Sequence, residues 1–294
     1  MTAHATRLRA SEWLLILYFS YVAIVSRAFP LPPLVNWRPF AVVFLVACLC
    51  TAFAYGEAHV HRRGFSMARD WLAVALILVA YQEMDWFAFL THDHHLELRW
   101  IEWDRTLLYP LRLQRAIESL GALIPSYLEL CYLLVYAVGP FTVAVLYFER
   151  RRDVADPLLL IYLLGTLGSY VLFPFFPSDP PRVVFGGSDV PNVDTTLRHF
   201  NLWLLNGYGI HSSVFPSAHV SSAFSAAWAL LLLLPHKRGF GWGMLIYAVS
   251  VSVATVYGRY HYAADVAAGF WVSVAAGLVG LFIVKPQMHT DKHG

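Results

Sequence analysis

The sequence has few charged residues: only 14% of its 294 residues are Asp, Glu, Lys or Arg, against about 25% in an average soluble domain. The formal net charge is only +2, and no Lys/Arg cluster forms a stripe that could follow a nucleic-acid backbone. The three cysteines, Cys48, Cys50 and Cys131, all lie in apolar runs and match neither a disulfide framework nor a zinc-site spacing. These shortages argue against a soluble enzyme, a nucleic-acid-binding protein and a secreted disulfide scaffold.

The sequence instead contains long apolar runs. Hydrophobic residues make up 58% of the chain, and a transmembrane helix needs about 20 mostly apolar residues. The first run is the weakest because Arg27 interrupts it, and a cleaved signal peptide with Arg7 and Arg9 as its basic region is the alternative there. The sequence predicts an all-α integral membrane protein with about eight transmembrane helices, at Trp13–Phe29, Pro39–Gly56, Trp71–Leu90, Ser126–Phe148, Pro157–Phe176, Ser217–Pro235, Gly239–Tyr257 and Tyr262–Val284.

The basic residues orient these predicted helices. Loops at Arg62–Arg69, Arg150–Arg152 and Lys237–Arg238 lie on the same side as both termini when the chain crosses eight times. Short cytoplasmic loops carry an excess of Lys and Arg. We therefore expect a cell (inner) membrane protein with both termini in the cytoplasm. The connections after predicted helices one, three, five and seven then face outward.

Two outward connections are long enough to hold helices of their own. Leu96–Leu120 mixes charges with apolar residues at helical spacing, which predicts an interfacial helix. In the second connection, Asp194–Thr196 precedes an amphipathic pattern and predicts a capped helix. The run His92–His95 has metal-ligand residue types, but adjacent loop residues converge poorly on one ion, so we expect no metal there.

Acidic residues near the outward side have two interpretations. They could bind a polar headgroup, but ion pairs with neighbouring arginines are favoured because charges at membrane depth usually pair. The acids are Glu83, Asp85 and Asp104, and the arginines are Arg99, Arg105 and Arg112.

Polar residues also gather where the sixth predicted helix begins. Pro216 suits the first turn of a helix, so the amides of Ser217 and Ala218 are expected to point outward unpaired. Free N–H groups at a helix start, together with a Ser hydroxyl, form a ready anion site. His219 lies in the same turn, where it can give or take a proton.

Two more segments reach the same membrane face. His261 and Asp265 are four residues apart and share a helix face, so the carboxylate can accept the Nδ1–H and leave Nε2 as a nucleophile. Arg182, after two prolines, carries a planar cation suited to phosphate oxygens. A lone histidine at a helix end is usually interfacial, but the three segments together predict phosphate chemistry.

The pattern of Pro216–His219 followed by His261-x-x-x-Asp265, with Arg182 upstream, resembles the type 2 phosphatidic acid phosphatase superfamily. The segments Pro180–Arg182 and Arg259–Tyr262 are more similar to its inositolphosphotransferase branch, which contains enzymes like the fungal inositol phosphorylceramide synthases. The resemblance divides the chain into accessory helices (residues 1–70), a catalytic membrane core (71–285) and a cytoplasmic tail (286–294).

The resemblance implies a metal-independent, cofactor-independent phosphoryl transfer in a six-helix core with additional interfacial helices. The substrate would be a membrane lipid phosphate at the outer face. His261 would attack phosphorus with Asp265 orienting it, and His219 would protonate the leaving group and then activate water or an alcohol. The phosphate oxygens would be held by Arg182, Ser217 and the amide of Ala218.

The sequence departs from the family pattern at three positions. Phe175 replaces a Lys of the first motif, Thr255 replaces an Arg of the third, and Ala218 replaces a Gly of the second. Two phosphate-binding cations are therefore missing. Arg259 is our candidate replacement for one of them, and His211 is a weaker candidate that we expect to be a loop hydrogen-bonding residue.

Several functions stay open at this point. The motifs fit a lipid phosphate phosphatase or a transferase of phosphoinositol or another phospho-headgroup to a lipid acceptor, because both reactions share the first half. A proton-coupled transporter or flippase could use His261 and Asp265 as a proton-linked pair. A scaffold whose catalytic motif has decayed is the third hypothesis, given the missing Lys and Arg.

Overall fold

The computed structural model describes residues 7–29, 31, 35–60, 63–88, 93–187 and 189–290. Over these ranges the chain is helical and contains no strand. The helices are α1 (Ala10–Val25), α2 (Arg38–Val60), α3 (Arg63–Met84), α4 (His95–Leu108), α5 (Leu113–Glu118), α6 (Leu123–Leu133), α7 (Val138–Phe148), α8 (Ala155–Leu172), α9 (Pro181–Val184), α10 (Thr196–Tyr208), α11 (Ala218–Leu233), α12 (Arg238–Tyr257) and α13 (Ala263–Thr290).

Among the described residues, six helical segments are long and apolar enough to cross a membrane. Helices α6 and α7 form one of them, joined by a 3-10 turn. The predicted first and sixth spans are instead shorter apolar helices, α1 and α11, of 16 residues each. At 1.5 Å per residue such a helix is about 24 Å long. The structure therefore supports six of the eight predicted spans by length. The six segments are Arg38–Val60, Arg63–Phe87, Leu123–Phe148, Arg152–Phe175, Pro235–Tyr257 and Ala263–Phe282.

Helix α11 lies at the centre of the bundle and packs against α8, α12 and α13. Its small residues Ala223, Ala226 and Ala227 are fully buried. A side chain at Gly165 of α8 would collide with Ser225 of α11, so this glycine lets the two helices approach closely. Close packing of small residues fixes the position at which α11 begins, and the candidate site lies there.

Gly269 of α13 sets a second close approach. A Cβ at this position would lie 2.4 Å from the carbonyl oxygen of Ser217, and a backbone atom cannot swing aside as a side-chain tip can. We expect Gly269→Ala to lower stability by about 1 to 3 kcal/mol and to displace the start of α11. Thermal unfolding measures the effect. Gly243→Ala on α12 is the matched control, since nothing lies within 4 Å of a Cβ there, and an equal melting temperature for Gly269→Ala and Gly243→Ala would contradict the prediction.

A buried charge cluster joins the N-terminal helices to the rest of the bundle. Arg69 Nε donates to Glu12 Oε1 at 2.6 Å, and its guanidinium also pairs with Glu57. The adjacent Asp70 accepts from Arg152 Nη2 at 2.7 Å. Helices α1, α2 and α3 are thereby tied to the segment that leads into α8. Charges at this depth require such partners.

Three short helices cover the opposite end of the bundle. The predicted helix at Leu96–Leu120 is two helices: α4 ends at Leu108, and α5 begins after its N-cap Arg112, which has a left-handed φ of 59°. The predicted capped helix is α10: Thr195 is its N-cap and accepts a hydrogen bond from Arg198 N at 3.1 Å. These helices surround the segments that carry the candidate site.

Candidate active site

The structure brings together the three polar segments singled out in the sequence. The amide of Ser217 donates to the carbonyl of Asp265 at 3.0 Å, and the amide of Arg182 donates to the carbonyl of Arg259 at 3.1 Å. Backbone bonds thus join α9 to the loop before α13, and the N-cap of α11 to the first turn of α13. His219 contributes to the same place, with Nδ1 lying 3.3 Å from Nε2 of the histidine at position 261.

His261 is held by two acceptors at its Nδ1. This nitrogen donates to the carbonyl of Val214 at 2.9 Å and lies 3.3 Å from Oδ2 of Asp265. Asp265 is itself fixed, since Oδ2 accepts from the amide of Tyr262 at 2.9 Å. With the proton on Nδ1, the lone pair of Nε2 is directed towards His219. Burial and the charge of Arg182 lower the pKa of His261 to about 3, so the ring is neutral near pH 7.

His219 lies in the first turn of α11 and lines a cavity. Its ring is stacked on Tyr132 of α6, with centroids 4.8 Å apart and planes 11° apart. Among the described residues no hydrogen-bond partner approaches its Nε2, although that atom is buried from solvent. One nitrogen of His219 therefore contacts His261 and the other is available to a ligand.

Arg182 supplies the positive charge. It follows Pro180 and Pro181 in the short helix α9 and lines the same cavity as the two histidines. Its guanidinium carbon lies 5.5 Å from the centre of the Tyr260 ring. Within the described residues no carboxylate forms an ion pair with it. An unpaired guanidinium beside two imidazoles is suited to an anion with several oxygens.

The start of α11 differs from the expectation of two outward amides. Helix α11 begins at Ala218, with Ser217 as its N-cap. Ser217 is fully buried and its Oγ accepts from the amide of Val220 at 3.4 Å. Its own amide is bonded to Asp265. The hydroxyl and the amide of Ser217 are therefore occupied by the fold, and Ala218 is the predicted anion-binding residue of this turn that lines the cavity.

Arg259 does not line this cavity, contrary to our expectation of a phosphate ligand. Its side chain is 1% exposed, with Nη1 donating to Asp104 Oδ2 at 3.1 Å and Nη2 lying 2.9 Å from Asp189 Oδ1. Two carboxylates thus neutralise it. Its carbonyl accepts from the amide of Arg182, so the backbone of Arg259 holds the short helix α9, which carries Arg182.

Removing the Arg259 side chain would leave two buried carboxylates without a cation. We expect Arg259→Ala to lower the free energy of unfolding by about 3 to 5 kcal/mol, the usual cost of breaking a buried pair. Chemical denaturation measures the loss. Arg99→Ala, on the exposed face of α4, is the control. An Arg259→Ala variant with normal stability and unchanged phosphate affinity would contradict the assignment of Arg259 to this structural cluster.

The other acidic residues also differ from the predicted arginine pairs. Asp104 pairs with Arg259, and its Oδ1 accepts from the amide of Ala263 at 2.8 Å. Asp85 accepts from the amide of His211 at 2.7 Å, so His211 is the loop hydrogen-bonding residue that we expected. Glu83 is buried and its carboxyl has no hydrogen-bond partner among the described residues.

The positions where the family has two further cations provide none here. Phe175 is 55% exposed, and Thr255 is fully buried, where its carbonyl accepts from the amides of Tyr260 and His261. Of the run at residues 92–95, His92 lies outside the described residues. In the ranges that the structure describes, no group of three or more His, Cys, Asp or Glu side chains could hold a metal ion.

A cavity of about 350 Å³ extends from Arg182, His219 and His261 into the bundle. Its walls come from α3, α6, α7 and α8, and are mostly apolar or aromatic. Along α3 the lining runs from Tyr81, near Arg182, to Trp71, ten residues or about 15 Å at 1.5 Å per residue. The candidate site is therefore a polar end on a long apolar slot.

Sequence reasoning missed the aromatic residues around the two histidines. Tyr132 and Tyr260 are almost fully buried and stack on each other with centroids 3.8 Å apart. Tyr260 OH donates to Oε2 of Glu129 at 2.5 Å. Glu129 could have been found from the sequence, because it is an acidic residue inside an apolar run. No sequence pattern, in contrast, indicates that Tyr132 contacts His219.

Comparisons with known proteins agree with the geometry. Residues 99–279, more than half of the chain, match the model of the PAP2 superfamily, and this range contains Arg182, His219, His261 and Asp265. Over 194 residues the chain is 26% identical to a PA-phosphatase related-family protein of Dictyostelium discoideum. The matched region covers 55% of this chain and 33% of that relative. The chain thus matches about a third of the relative's length. No solved structure matches the chain.

Proposed function

We propose, from the premise that this chain belongs to the PAP2 superfamily, that it cleaves or transfers phosphate esters of membrane lipids through a phosphohistidine at His261. The observation that carries the proposal is the placement of His261, His219 and an unpaired Arg182 at one end of an apolar slot. A lipid phosphate has the matching shape, with an anionic head and an apolar chain.

In the first half of the proposed reaction, the lone pair of His261 Nε2 forms a bond to phosphorus. The bond from phosphorus to the ester oxygen breaks, and that oxygen keeps the electron pair and takes a proton from His219. The products are an alcohol and a phosphorylated imidazole. The carboxylate of Asp265 stabilises the proton on Nδ1 as the ring gains positive charge.

In the second half, water or an acceptor alcohol gives a proton to His219 while its oxygen attacks phosphorus. The phosphorus–nitrogen bond breaks and its electron pair returns to His261. Water yields inorganic phosphate, and an alcohol yields a new ester. Both outcomes restore the starting protonation of His219, so the same residues serve a phosphatase and a phosphotransferase.

Charge stabilisation in this proposal comes from few groups. Arg182 faces the equatorial oxygens, and the amide of Ala218 lies at the positive end of α11. The roles expected of Ser217 and Arg259 are reduced to positioning, because their polar groups are bonded within the fold.

The cavity supports the enzyme hypothesis against the other two. A decayed site would be too narrow for a phosphate, whereas about 350 Å³ is within the range of ligand pockets. For a transporter, His261 and Asp265 would need a path to both sides, whereas Asp265 is fully buried and its Oδ2 is bonded to the amide of Tyr262. From the distribution of Lys and Arg we place the site at the extracytoplasmic face.

The test uses the purified full-length chain in mixed micelles. Phosphatidic acid and phosphatidylinositol serve as phosphate donors, with and without ceramide as lipid acceptor. We expect vanadate-sensitive release of inorganic phosphate from phosphatidic acid, or formation of inositol phosphorylceramide if the transferase alternative is right. Absence of both products from a protein with a cooperative thermal unfolding transition would overturn the proposal, and lipid uptake into vesicles without turnover would favour the transporter.

A further inference from the structure

The rings of Tyr260, Tyr132 and His219 form one stack. The rings of Tyr260 and Tyr132 lie 3.8 Å apart with planes 14° apart, and Tyr132 continues the stack to His219 at 4.8 Å and 11°. Tyr132 therefore has a ring on each of its faces. The His219 ring is thus held by Tyr132 on one face, while His261 and Tyr136 meet it at steeper angles, with centroids 5.2 Å and 6.4 Å away.

The far end of the stack is anchored to a buried carboxylate. Glu129 Oε2 accepts from Tyr260 OH at 2.5 Å and from Asn201 Nδ2 at 2.7 Å. Glu129 Oε1 accepts from Arg198 Nη1 at 3.1 Å, and the same guanidinium group donates to the carbonyl of Gly258. This network fixes the phenol at one end, and it joins α6, α10 and the loop before α13.

The Tyr260 ring also meets the candidate phosphate cation. The guanidinium carbon of Arg182 lies 5.5 Å from its centre, within the range of a cation–π contact. A phenol that donates to a carboxylate has a more electron-rich ring, which strengthens the attraction for a cation. One anchored ring thus contributes to the position of Arg182 and, through Tyr132, of His219.

We propose that Tyr132 and Tyr260, anchored by Glu129, are positioning residues that hold His219 as the proton donor to the leaving group. The inference rests on the proposed function. The face of Tyr132 stabilises the imidazolium form of His219 in a mostly apolar cavity, because an aromatic face attracts a desolvated cation. It also keeps the ring aligned with the ester oxygen as the phosphorus–oxygen bond breaks.

The dependence on the leaving group distinguishes this role from simple packing. Benzyl phosphate and 4-nitrophenyl phosphate are similar in size, but only the benzyl alkoxide needs a proton to leave. We expect Tyr132→Leu to lower kcat/KM for benzyl phosphate by about 10- to 100-fold, part of what a general acid contributes, with less than about a threefold loss for 4-nitrophenyl phosphate. Tyr132→Phe keeps the ring face and is expected to restore cleavage of benzyl phosphate.

A pH profile gives a second readout. Loss of the ring face destabilises the imidazolium, so the protonated form of His219 is lost at lower pH and the alkaline limb for benzyl phosphate moves to lower pH. The profile for 4-nitrophenyl phosphate is expected to stay in place. Tyr127→Leu is the matched control on the same helix, since Tyr127 is exposed and bonds to Ser250.

The outcomes separate the two proposals. An equal loss for both esters in Tyr132→Leu, or no loss for either, would overturn the positioning role while the proposed function stands. If Tyr132→Leu unfolds, Glu129→Gln takes its place, because it keeps the side-chain shape and removes the charge that anchors Tyr260; equal effects on both esters would again overturn the role. If the unmodified protein cleaves neither ester nor any lipid phosphate, the proposed function itself fails.

Discussion

Replacing His261 with alanine is expected to lower phosphoryl transfer by at least about 1,000-fold, because the variant lacks the nucleophile that forms the covalent intermediate. The measurement is a single-turnover experiment with radiolabelled phosphatidic acid, quenched in alkali, where phosphohistidine is stable. The unmodified protein is expected to retain label and the variant none. The fold should survive, since His261 lines a cavity and its loop is also held by Arg259.

The control for this experiment is His199→Ala. His199 lies on α10, its side chain is 70% exposed, and it pairs with the exposed Asp194 at 2.7 Å. Its loss is expected to leave the rate and the label unchanged. Label retained by His261→Ala, at His219 or elsewhere, would show that the nucleophile has been assigned to the wrong residue.

The parts of the fold that follow from local sequence were predictable. A helix long enough to cross a membrane follows from its own hydropathy, as for the segment Arg38–Val60. The Thr195 cap of α10 follows from one side chain and an amide three residues ahead. The spacing of His261 and Asp265 places them on one face whatever surrounds them. Each of these depends on neighbours in the chain alone.

The misassigned parts depend on residues that are distant in the chain. Arg259 has the charge for a phosphate, but its partner Asp104 is 155 residues away, and no periodicity links the two. Ser217 can cap a helix or contact a ligand, and its place inside the fold depends on Asp265 and Gly269 of α13, which are about 50 residues away in the chain. The contact of Tyr132 with His219 likewise joins two helices that are distant in the chain, α6 and α11, through their side chains.

The shape of the slot leads to a prediction about the length of the lipid's acyl chain. Ala75 of α3 lines the cavity and is exposed, six residues or about 9 Å along the helix from Tyr81. A tryptophan there would occupy the space of the distal part of a lipid chain without overpacking the core. If the indole displaces about four methylenes, at about 0.8 kcal/mol each, kcat/KM for a long-chain substrate falls by about 200-fold.

Short chains that end before Ala75 should be cleaved by Ala75→Trp as well as by the unmodified protein, because their phosphate and proximal methylenes still bind. The measurement compares hexanoyl and palmitoyl lysophosphatidic acid in micelles of one detergent. Val79→Trp is the control, since Val79 is exposed on the same helix one turn away and does not line the cavity; it should leave both substrates unaffected. Equal losses for the two chain lengths in Ala75→Trp would mean that the lipid chain lies outside the slot, and the apolar walls that contact α3 would then need another occupant.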